Sequence, residues 1–479
     1  LSNSLAHRTT WLRSDLGEEF QTPEAVMVYT DRGINDMSQT FHRLYQKRLA
    51  RGYWRDRERP ILINNWEATY FDFNEEKLLK LAKTAKEAGI ELFVLDDGWF
   101  GKRCSDQAGL GDWKANPERL PQGIPGLAAK IENLGMKFGL WFEPEMVNKD
   151  SDLYREHPDW ILSVPERNQC HGRNQYVLDF SRKEVVDRIY EMMAEILKSG
   201  AVSYIKWDMN RSITECWSPA LPADRQGEVF HRYILGVYDL YERLTSEFPK
   251  VLFESCASGG ARFDPGILYY APQGWTSDDT DAVERLKIQY GTSYCYPTSS
   301  IGAHVSASPN HQVNRSTPLS TRANVACFGT FGYELDLNRM TDQELAQVKE
   351  QVDFMKTWRK LLQFGKFYRL VSPFEGNIGA WMTVSENQNE AIVGWYRILN
   401  TPNPPYTRLR LAGLDPEQLY QVSEDGEVLG EFYGDELMYV GIITSDGNFG
   451  SSSHAKKSRC DFESRLFVIT GKTDSGSEK

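Results

Sequence analysis

Short apolar segments alternate with amphipathic helical segments through most of this chain. The segments 61–65, 91–95, 137–142 and 251–253 are rich in β-favouring residues, and helix-forming stretches such as 183–198 separate them. Alternation over about 300 residues is typical of a parallel sheet, and roughly eight repeats favour closure into a (β/α)8 barrel. An open doubly wound sheet is the alternative, but no GxGxxG motif follows the first strand.

The sequence pattern changes near residue 366. Beyond it, short alternating segments with turn residues between them predict a small antiparallel β-sandwich domain. The chain also begins at Leu1 rather than Met, which suggests a fragment or a processed start. We expect an N-terminal segment over 1–58, an α/β domain of the TIM-barrel type over 59–365, the β domain over 366–472 and a tail over 473–479. Finer predictions are a helix at 37–51, further βα alternation through 294–300 and past Gly329, and a Ser/Gly/Lys-rich loop at 445–458.

Charge and cysteine usage narrow the classes of partner and compartment. The net charge of −12 and pI of about 5.4 disfavour nucleic acid and anionic membranes, because no basic stripe is present to neutralise phosphates. No apolar run approaches the roughly 18 residues that a membrane span needs. The seven cysteines are scattered without a CxxC pair, so neither a disulfide framework nor a zinc site is predicted. A reducing compartment, the cytoplasm, fits best.

Polar and aromatic residues follow the predicted strands where each strand ends. The loops after the strands form the functional face of a βα barrel, so we expect these side chains to converge. A single aspartate in such a place is often only a helix cap, and the prediction therefore depends on the whole set. The set comprises Trp66, Asp96, Asp97, Trp141, Glu143, Glu145, Lys206, Asp208, Asn210, Cys256, Trp275, Asp278 and Asp279.

An acidic cup with aromatic walls suits two chemistries. Carboxylates bind divalent metal ions, and a pair of carboxylates cleaves glycosidic bonds. A metal site would be expected to include histidines or several converging carboxylates. The chain has only eight histidines, of which His304 and His311 are the nearest candidates. Spacing along the sequence does not decide between the two chemistries.

Several long motifs in the same order resemble one family. Over about residues 20 to 440 the chain closely resembles glycoside hydrolase family 36, the bacterial alpha-galactosidases. The motifs that carry the resemblance are Leu95-Asp96-Asp97-Gly98-Trp99, Trp141-Phe142-Glu143-Pro144-Glu145-Met146-Val147, Lys206-Trp207-Asp208-Met209-Asn210, Glu254-Ser255-Cys256 with Gly259-Gly260 and Arg262-Phe263-Asp264, and Trp275-Thr276-Ser277-Asp278-Asp279-Thr280-Asp281.

The resemblance implies a retaining alpha-galactosidase with Asp208 as nucleophile and Asp278 as general acid and base. If 176–178 lies outside the barrel, these residues follow its fourth and sixth strands. Asp208 must be ionised and Asp278 protonated at the start of the reaction. Lys206 is expected to favour the charged form of Asp208, and neighbouring acids together with Trp275 are expected to raise the pKa of Asp278.

By the same similarity, further residues bind a terminal galactose, as in melibiose and raffinose-type oligosaccharides. The axial 4-hydroxyl distinguishes galactose from glucose, and Asp96 and Asp97 are the candidates for recognising it. The resemblance implies no metal or organic cofactor, and a homo-oligomer for the full-length protein. The hydroxyls are assigned to Asp96, Asp97, Arg173, Lys206 and Asn210, the pocket lining to Trp141, Cys256, Gly259 and Trp275, and the leaving-group side to Trp66.

The sequence also departs from the family. The β-sandwich that usually precedes the barrel is absent here or reduced to the segment before residue 58. Ala257 and Ser258 stand where many relatives have a longer glycine run, which could alter tolerance at the sugar's C2 position. No family counterpart is recognised for 445–458. Alternatives therefore remain an alpha-N-acetylgalactosaminidase, a galactosyl transferase, a non-catalytic galactoside-binding protein and a metal-dependent hydrolase.

Overall fold

The computed structural model of the protein describes residues 24–402, 404–446 and 460–472. The first 23 residues of the predicted N-terminal segment, most of the predicted loop at 445–458 and the predicted tail at 473–479 lie outside these residues. Within them, no helix combines the length and the apolar character needed to cross a bilayer. The predicted domain bounds stay a prediction.

Helices and strands alternate along the first two thirds of the described chain. The helices are α1 Ile34–Leu44, α2 Trp66–Thr69, α3 Glu75–Glu87, α4 Gly123–Asn133, α5 Asp152–Glu156, α6 Lys183–Leu197, α7 Val229–Glu247, α8 Pro265–Leu268, α9 Ala282–Thr292, α10 Leu319–Ala326, α11 Asp342–Phe364 and α12 Gly434–Tyr439. The strands up to residue 334 are β1 Leu62–Asn64, β2 Leu92–Leu95, β3 Lys137–Phe142, β4 Met146–Val147, β5 Tyr176–Val177, β6 Tyr204–Trp207, β7 Leu252–Ser255, β8 Gln273–Trp275, β9 Ile301–Ser306 and β10 Thr330–Glu334. The later strands are β11 Lys366–Val371, β12 Ile378–Val384, β13 Glu390–Arg397, β14 Tyr406–Leu409, β15 Leu419–Glu424, β16 Glu427–Tyr433, β17 Ile442–Asp446 and β18 Glu463–Gly471.

Eight of these strands form a closed barrel in the order β1-β10-β9-β8-β7-β6-β3-β2. The registered pairs β1–β2, β2–β3, β3–β6 and β6–β7 are parallel, as expected when a helix connects successive strands. The strands β4 and β5 pair with each other in a separate two-stranded sheet. The prediction of a (β/α)8 barrel is therefore confirmed, with 176–178 outside it.

The helix α3 shows how local sequence builds one barrel unit. The side chain of Asn74 accepts a hydrogen bond from the backbone of Lys77 and caps the first turn. Glu75 and Glu76 follow in that turn, where negative charge opposes the positive end of the helix dipole. Apolar side chains at helical spacing then face inward, and those buried are Leu78, Leu81, Ala82 and Ala85.

Two local predictions need adjustment. The predicted alternation through 294–300 contains a 3₁₀ turn at Thr298–Ser300, and the seventh barrel strand is β9, which begins at Ile301. Pro297 precedes that turn, and β9 includes Gly302, a weak strand former, so the local pattern did not indicate the strand. The predicted helix at 37–51 begins earlier as α1 and continues into a π-helical turn at Tyr45–Leu49.

The C-terminal region is antiparallel, as predicted. Six strands form a sheet in the order β11-β12-β13-β18-β15-β16, and β14 pairs with β17. The last strand, β18, lies in the middle of the larger sheet between β13 and β15. Its side chains alternate, so that Phe467 and Ile469 are fully buried in the core of this domain.

The described residues group into two compact units. One holds 24–28, 45–278 and 332–349, and the other holds 29–44, 279–331 and the described residues from 350 onward. The second unit therefore combines β9, α9 and α10 with the C-terminal sheet.

Candidate active site

The two aspartates singled out as catalytic follow different barrel strands. Asp208 comes directly after β6, the fourth strand of the barrel, and Asp278 follows the end of β8, the sixth. This placement is the one that the resemblance predicted. Because the strands of a barrel are parallel, residues just beyond their carboxyl ends lie on the same face.

Asp208 is buried and accepts three hydrogen bonds. The indole of Trp141 donates to Oδ2 at 3.2 Å, and the side-chain amide of Asn210 donates to the same oxygen at 2.8 Å. The backbone N–H of Met209 donates to Oδ1 at 2.8 Å. A carboxylate accepts all three, so the surroundings suit a side chain that carries a negative charge. Trp141 and Asn210, predicted to contact sugar, thus also hold Asp208.

Lys206 pairs directly with Asp96 rather than with Asp208. Its Nζ lies 3.0 Å from Asp96 Oδ2, and Asn64 donates to the same oxygen at 2.6 Å. Burial opposes the charge of Lys206, but Asp96 and Glu334 outweigh it and raise the pKa of Lys206 well above its usual value. Asp208 also interacts with the charge of Lys206, more weakly than Asp96 does, and the expected effect of Lys206 on Asp208 stays a prediction.

Asp97 forms a buried ion pair that the sequence did not indicate. The guanidinium of Arg103 donates to both oxygens, with Nη2 at 2.8 Å from Oδ2 and Nε at 3.0 Å from Oδ1. Burial raises the pKa of Asp97, and the charge of Arg103 opposes that rise. Arg103 lies in an irregular loop after β2, where neither periodicity nor a motif marks a partner.

Glu143 is a buried acid close to Asp208. Its Oε1 accepts the backbone N–H of Asn210 at 2.5 Å, and its Oε2 accepts Nε2 of Gln175 at 3.0 Å. Burial, reinforced by the charge of Asp208, raises the pKa of Glu143 to about 8. This carboxyl is therefore largely neutral at pH 7, which avoids a second negative charge beside Asp208.

Asp278 is exposed to solvent, in contrast to Asp208. Partial desolvation and the charge of Asp208 raise the pKa of Asp278 to about 6, with Lys206 acting in the opposite direction. Glu334 at the end of β10 also raises it. The predicted rise is confirmed, and Glu334 is an influence that was missed. Its position as the acid ending the eighth strand is the signal that could have identified it.

Gly259 packs against the backbone that carries Asp278. Its φ is +79°, and a Cβ there would lie 2.6 Å from both Asp278 N and Ser277 Cα. Only glycine fits so close an approach in this backbone conformation. Gly260 is similarly close, since a Cβ there would lie 2.5 Å from Thr276 O. The loop after β7 thereby contacts the main chain that carries Asp278.

The remaining predicted residues differ in exposure. Trp66, at the start of α2, packs edge-on against Tyr70 and Phe71 with ring centroids 5.2 and 5.3 Å apart. Arg173 is exposed in a loop, and its charge weakly opposes the rise in pKa of both Asp97 and Asp278. Two more of the residues predicted to line the pocket, Cys256 and Trp275, are buried at the ends of β7 and β8.

Cys256 belongs to the same electrostatic cluster. Burial, followed by the charge of Asp208, raises the pKa of its thiol well above the usual value, so the sulfur carries a proton at neutral pH. Neither here nor elsewhere in the part of the chain that the structure describes is a group of three or more His, Cys, Asp or Glu side chains arranged to hold a metal ion.

Fold and site together define a class of protein. A closed (β/α)8 barrel presents one carboxylate held by three N–H donors and one carboxyl of raised pKa on the same face, which is the arrangement of a glycoside hydrolase. The family described as Melibiase matches residues 19–365, and the glycosyl hydrolase family 36 C-terminal domain matches residues 378–469. The chain belongs to the melibiase family, in agreement with the resemblance to glycoside hydrolase family 36.

Known relatives are similar over most of this chain. Alpha-galactosidase AgaA of Geobacillus stearothermophilus is 60% identical over 433 residues, which cover 90% of this chain and 59% of AgaA. A variant of AgaA solved in complex with raffinose has a TM-score of 0.88 at 56% identity and covers 93% of this chain and 60% of that one. Another solved in complex with stachyose has a TM-score of 0.90 at 56% identity, with 95% and 61% covered. The chain spans about three fifths of the length of these relatives.

Proposed function

We propose that the protein is a retaining alpha-galactosidase that removes terminal alpha-linked galactose from oligosaccharides of the melibiose and raffinose type. The observation that carries the proposal is the contrast between Asp208, surrounded by N–H donors, and Asp278, whose pKa is raised to about 6. A retaining glycosidase needs one carboxylate and one carboxylic acid at the start of the reaction.

The relatives support the same pair of residues. AgaA variants were solved with raffinose and with stachyose, and each of the two carries a different aspartate substitution. Those two aspartates are separated in AgaA by the same interval that separates Asp208 from Asp278 in this chain. The spacing supports Asp208 and Asp278 as the reacting pair.

In the proposed mechanism, Asp208 attacks the anomeric carbon while Asp278 gives its proton to the leaving oxygen. The galactosyl group is then held covalently on Asp208, with inverted configuration. Asp278, now ionised, accepts a proton from a water molecule, which attacks the anomeric carbon and releases galactose. The second inversion restores the alpha configuration.

Recognition of galactose is proposed to use the two rigid acids after β2. Lys206 and Asn64 hold one of them, Asp96, and Arg103 holds the other, Asp97. Buried groups that are already oriented discriminate strongly against a sugar whose hydroxyl points elsewhere. In this proposal Arg173 and Asn210 bind further hydroxyls, Cys256, Gly259, Trp141 and Trp275 line the pocket, and Trp66 faces the leaving group.

We also propose a cytoplasmic location, and a homo-oligomer for the full-length protein. Cys104 and Cys170 are free thiols, and both are exposed. Exposed thiols are retained more readily in a reducing compartment. Fractionation of cells that produce the protein tests the location, and light scattering of the purified protein tests the subunit count. Recovery in an extracellular fraction, or a monomer, would contradict the respective proposal.

Hydrolysis of p-nitrophenyl alpha-galactoside tests the function directly. Asp208→Ala and Asp278→Ala should each abolish most of the activity, and azide should give beta-galactosyl azide with the first variant and alpha-galactosyl azide with the second. The parent chain with azide is the control and should give free galactose. Parental activity in either variant contradicts the assignment, and preference for p-nitrophenyl alpha-N-acetylgalactosaminide would favour the aminosugar alternative.

A further inference from the structure

Glu145, just beyond β3, is a buried carboxylate with four donors. Arg262 donates to both of its oxygens at 2.7 Å. The indole of Trp207 donates to Oε1 at 2.8 Å, and the hydroxyl of Tyr233 donates to Oε2 at 2.5 Å. The side chain of Glu145 is fully buried and that of Arg262 is 12% exposed. These donors come from β6, from α7 and from the loop after β7.

One side of this cluster reaches the nucleophile. Trp207 is the last residue of β6 and immediately precedes Asp208. Its ring stacks on Tyr241 with centroids 3.9 Å apart, while its Nε1 is held by Glu145. Stacking alone would let the ring slide in its plane, and the hydrogen bond removes that freedom. The end of β6, and with it Asp208, therefore takes its position partly from Glu145.

The other side reaches the general acid. Arg262 lies in the loop after β7, which also contains Gly259 and Gly260. Those glycines pack against the backbone of Thr276, Ser277 and Asp278. Holding Arg262 in a bidentate ion pair fixes this loop, because the two parallel hydrogen bonds define both distance and orientation.

We propose that Glu145 is a positioning residue that sets the separation between the carboxyl groups of Asp208 and Asp278. The inference rests on the proposed function, since that separation matters for a double displacement. One buried carboxylate contacts the strand that ends in the nucleophile and the loop that packs on the acid. Glu145 itself is not required to touch the substrate.

The test compares Glu145→Gln with a matched control elsewhere in the chain. Glutamine keeps the size of the side chain but removes the charge and one acceptor that Arg262 uses. The control is Glu424→Gln, because Glu424 also forms a buried bidentate pair, with Arg465 at 2.8 and 2.7 Å, within the C-terminal sheet. Trp207→Phe is a second, milder variant that keeps the aromatic stack and removes only the indole donor.

We expect Glu145→Gln to lower kcat roughly 10- to 100-fold with little change in KM, as misplacement of catalytic groups does. The alkaline limb of the kcat/KM profile should move to lower pH, because the charge of Asp208 raises the pKa of Asp278 less when the two move apart. Trp207→Phe should produce smaller changes in the same directions. Glu424→Gln should lower the melting temperature and leave both kinetic parameters unchanged.

Unchanged kcat and pH profile in folded Glu145→Gln would overturn the proposal and leave Glu145 a purely structural residue. If Glu145→Gln does not fold, an unchanged kcat and pH profile in Trp207→Phe would overturn the proposal instead. An inactive parent chain would instead contradict the proposed function. In that case the inference about Glu145 is tested by the titration of Asp278, measured from its ¹³Cγ signal, which is assigned by comparison with Asp278→Asn. A lower pKa of Asp278 in Glu145→Gln than in the parent supports the inference, and an equal pKa overturns it.

Discussion

The two central aspartates carry the same functional group in different surroundings. Asp208 is buried among N–H donors, whereas Asp278 is exposed beside several charges of both signs. Hydrogen-bond donors stabilise a carboxylate, and nearby negative charge disfavours one. Environment rather than residue type therefore separates the two proposed roles, and each consequence can be tested by changing one neighbouring side chain.

The raised pKa of Asp278 predicts a pH limit to activity. The acid must be protonated at the start, so kcat/KM should fall as the pH rises through about 6. The negative charge of Glu334 helps to raise the pKa of Asp278, so Glu334→Gln should move the alkaline limb to lower pH. The measurement is the pH profile of kcat/KM for p-nitrophenyl alpha-galactoside. Glu132→Gln, an exposed change on α4 with the same loss of charge, is the control and should leave the limb in place.

The buried side chain of His42 should make the stability of the second unit depend on pH. Its Nε2 lies 2.8 Å from Ser293 O, and burial lowers the pKa of His42 from 6.5 to about 4. Between these values the unfolded chain binds a proton that the folded chain does not, so stability is lost as the pH falls from 6.5 to about 4. The loss due to this residue amounts to roughly 3 kcal/mol.

His42→Gln should remove that part of the pH dependence while keeping a donor for Ser293 O. Urea unfolding between pH 4 and 7 measures the difference between the parent and the variant. The same substitution at exposed His311 is the control. Parallel stability curves for the parent and His42→Gln would contradict the prediction.

Strand ends and loops position the site more finely than the barrel alone does. The loop after β7 reaches across to the residues that follow β8, and two glycines permit the contact. The same loop begins α8 with a capping hydrogen bond from Ile267 N to Asp264. Both ends of this short connection are thus held, which leaves it little freedom to move away from Asp278.

Gly259→Ala should impair activity as well as stability. The new methyl would meet Ser277 and Asp278 at 2.6 Å, and displacing the acid by about 1 Å can cost on the order of 100-fold in kcat. Gly200→Ala is the matched control, because Gly200 also has a positive φ, +71°, but no atom lies within 4 Å of its Cβ position. That variant should show only the backbone strain, about 1–3 kcal/mol. Equal kcat values for the two variants would contradict the prediction.

The second compact unit joins part of the barrel sequence to the C-terminal sheet. Helix α10 contacts β13 and β18 through polar groups, with Asn324 Nδ2 donating to Ser464 Oγ at 2.9 Å. Thr321 Oγ1 donates to Phe462 O at 2.5 Å, and Tyr396 OH donates to Asn324 O at 2.6 Å. These segments are far apart in sequence but belong to one unit, so we expect them to unfold together.

Tyr396→Phe tests this coupling. The change removes a hydroxyl that donates to a backbone carbonyl and should cost about 1–2 kcal/mol of unfolding free energy. Hydrogen exchange followed by mass spectrometry should show lower protection in α10 and in β13 by similar amounts. Tyr406→Phe on the exposed strand β14 is the control. Loss of protection confined to β13 would show that the two segments open independently.

Local sequence was sufficient for most of the barrel's helices and strands, and together with family motifs it singled out the two candidate catalytic aspartates. The capping of α3 by Asn74, the strand β3 at 137–142 and the helix α6 from Lys183 follow from periodicity and end signals within short windows. Asp208 and Asp278 were identified because they follow apolar strands and stand in family motifs. Strand β9 was misplaced because small residues give it little local signal.

The sequence by itself therefore determined the order of strands and helices, the barrel class and the two central aspartates. Only the tertiary structure decided the buried ion pairs around the site: Arg103 with Asp97, Lys206 with Asp96, and Arg262 with Glu145. It also decided that the last strand, β18, lies inside its sheet. The physical reason is that the periodicity of apolar residues indicates which face of a helix or strand is buried. It does not indicate which residues distant in sequence form hydrogen bonds, because those partners meet only in the folded tertiary structure.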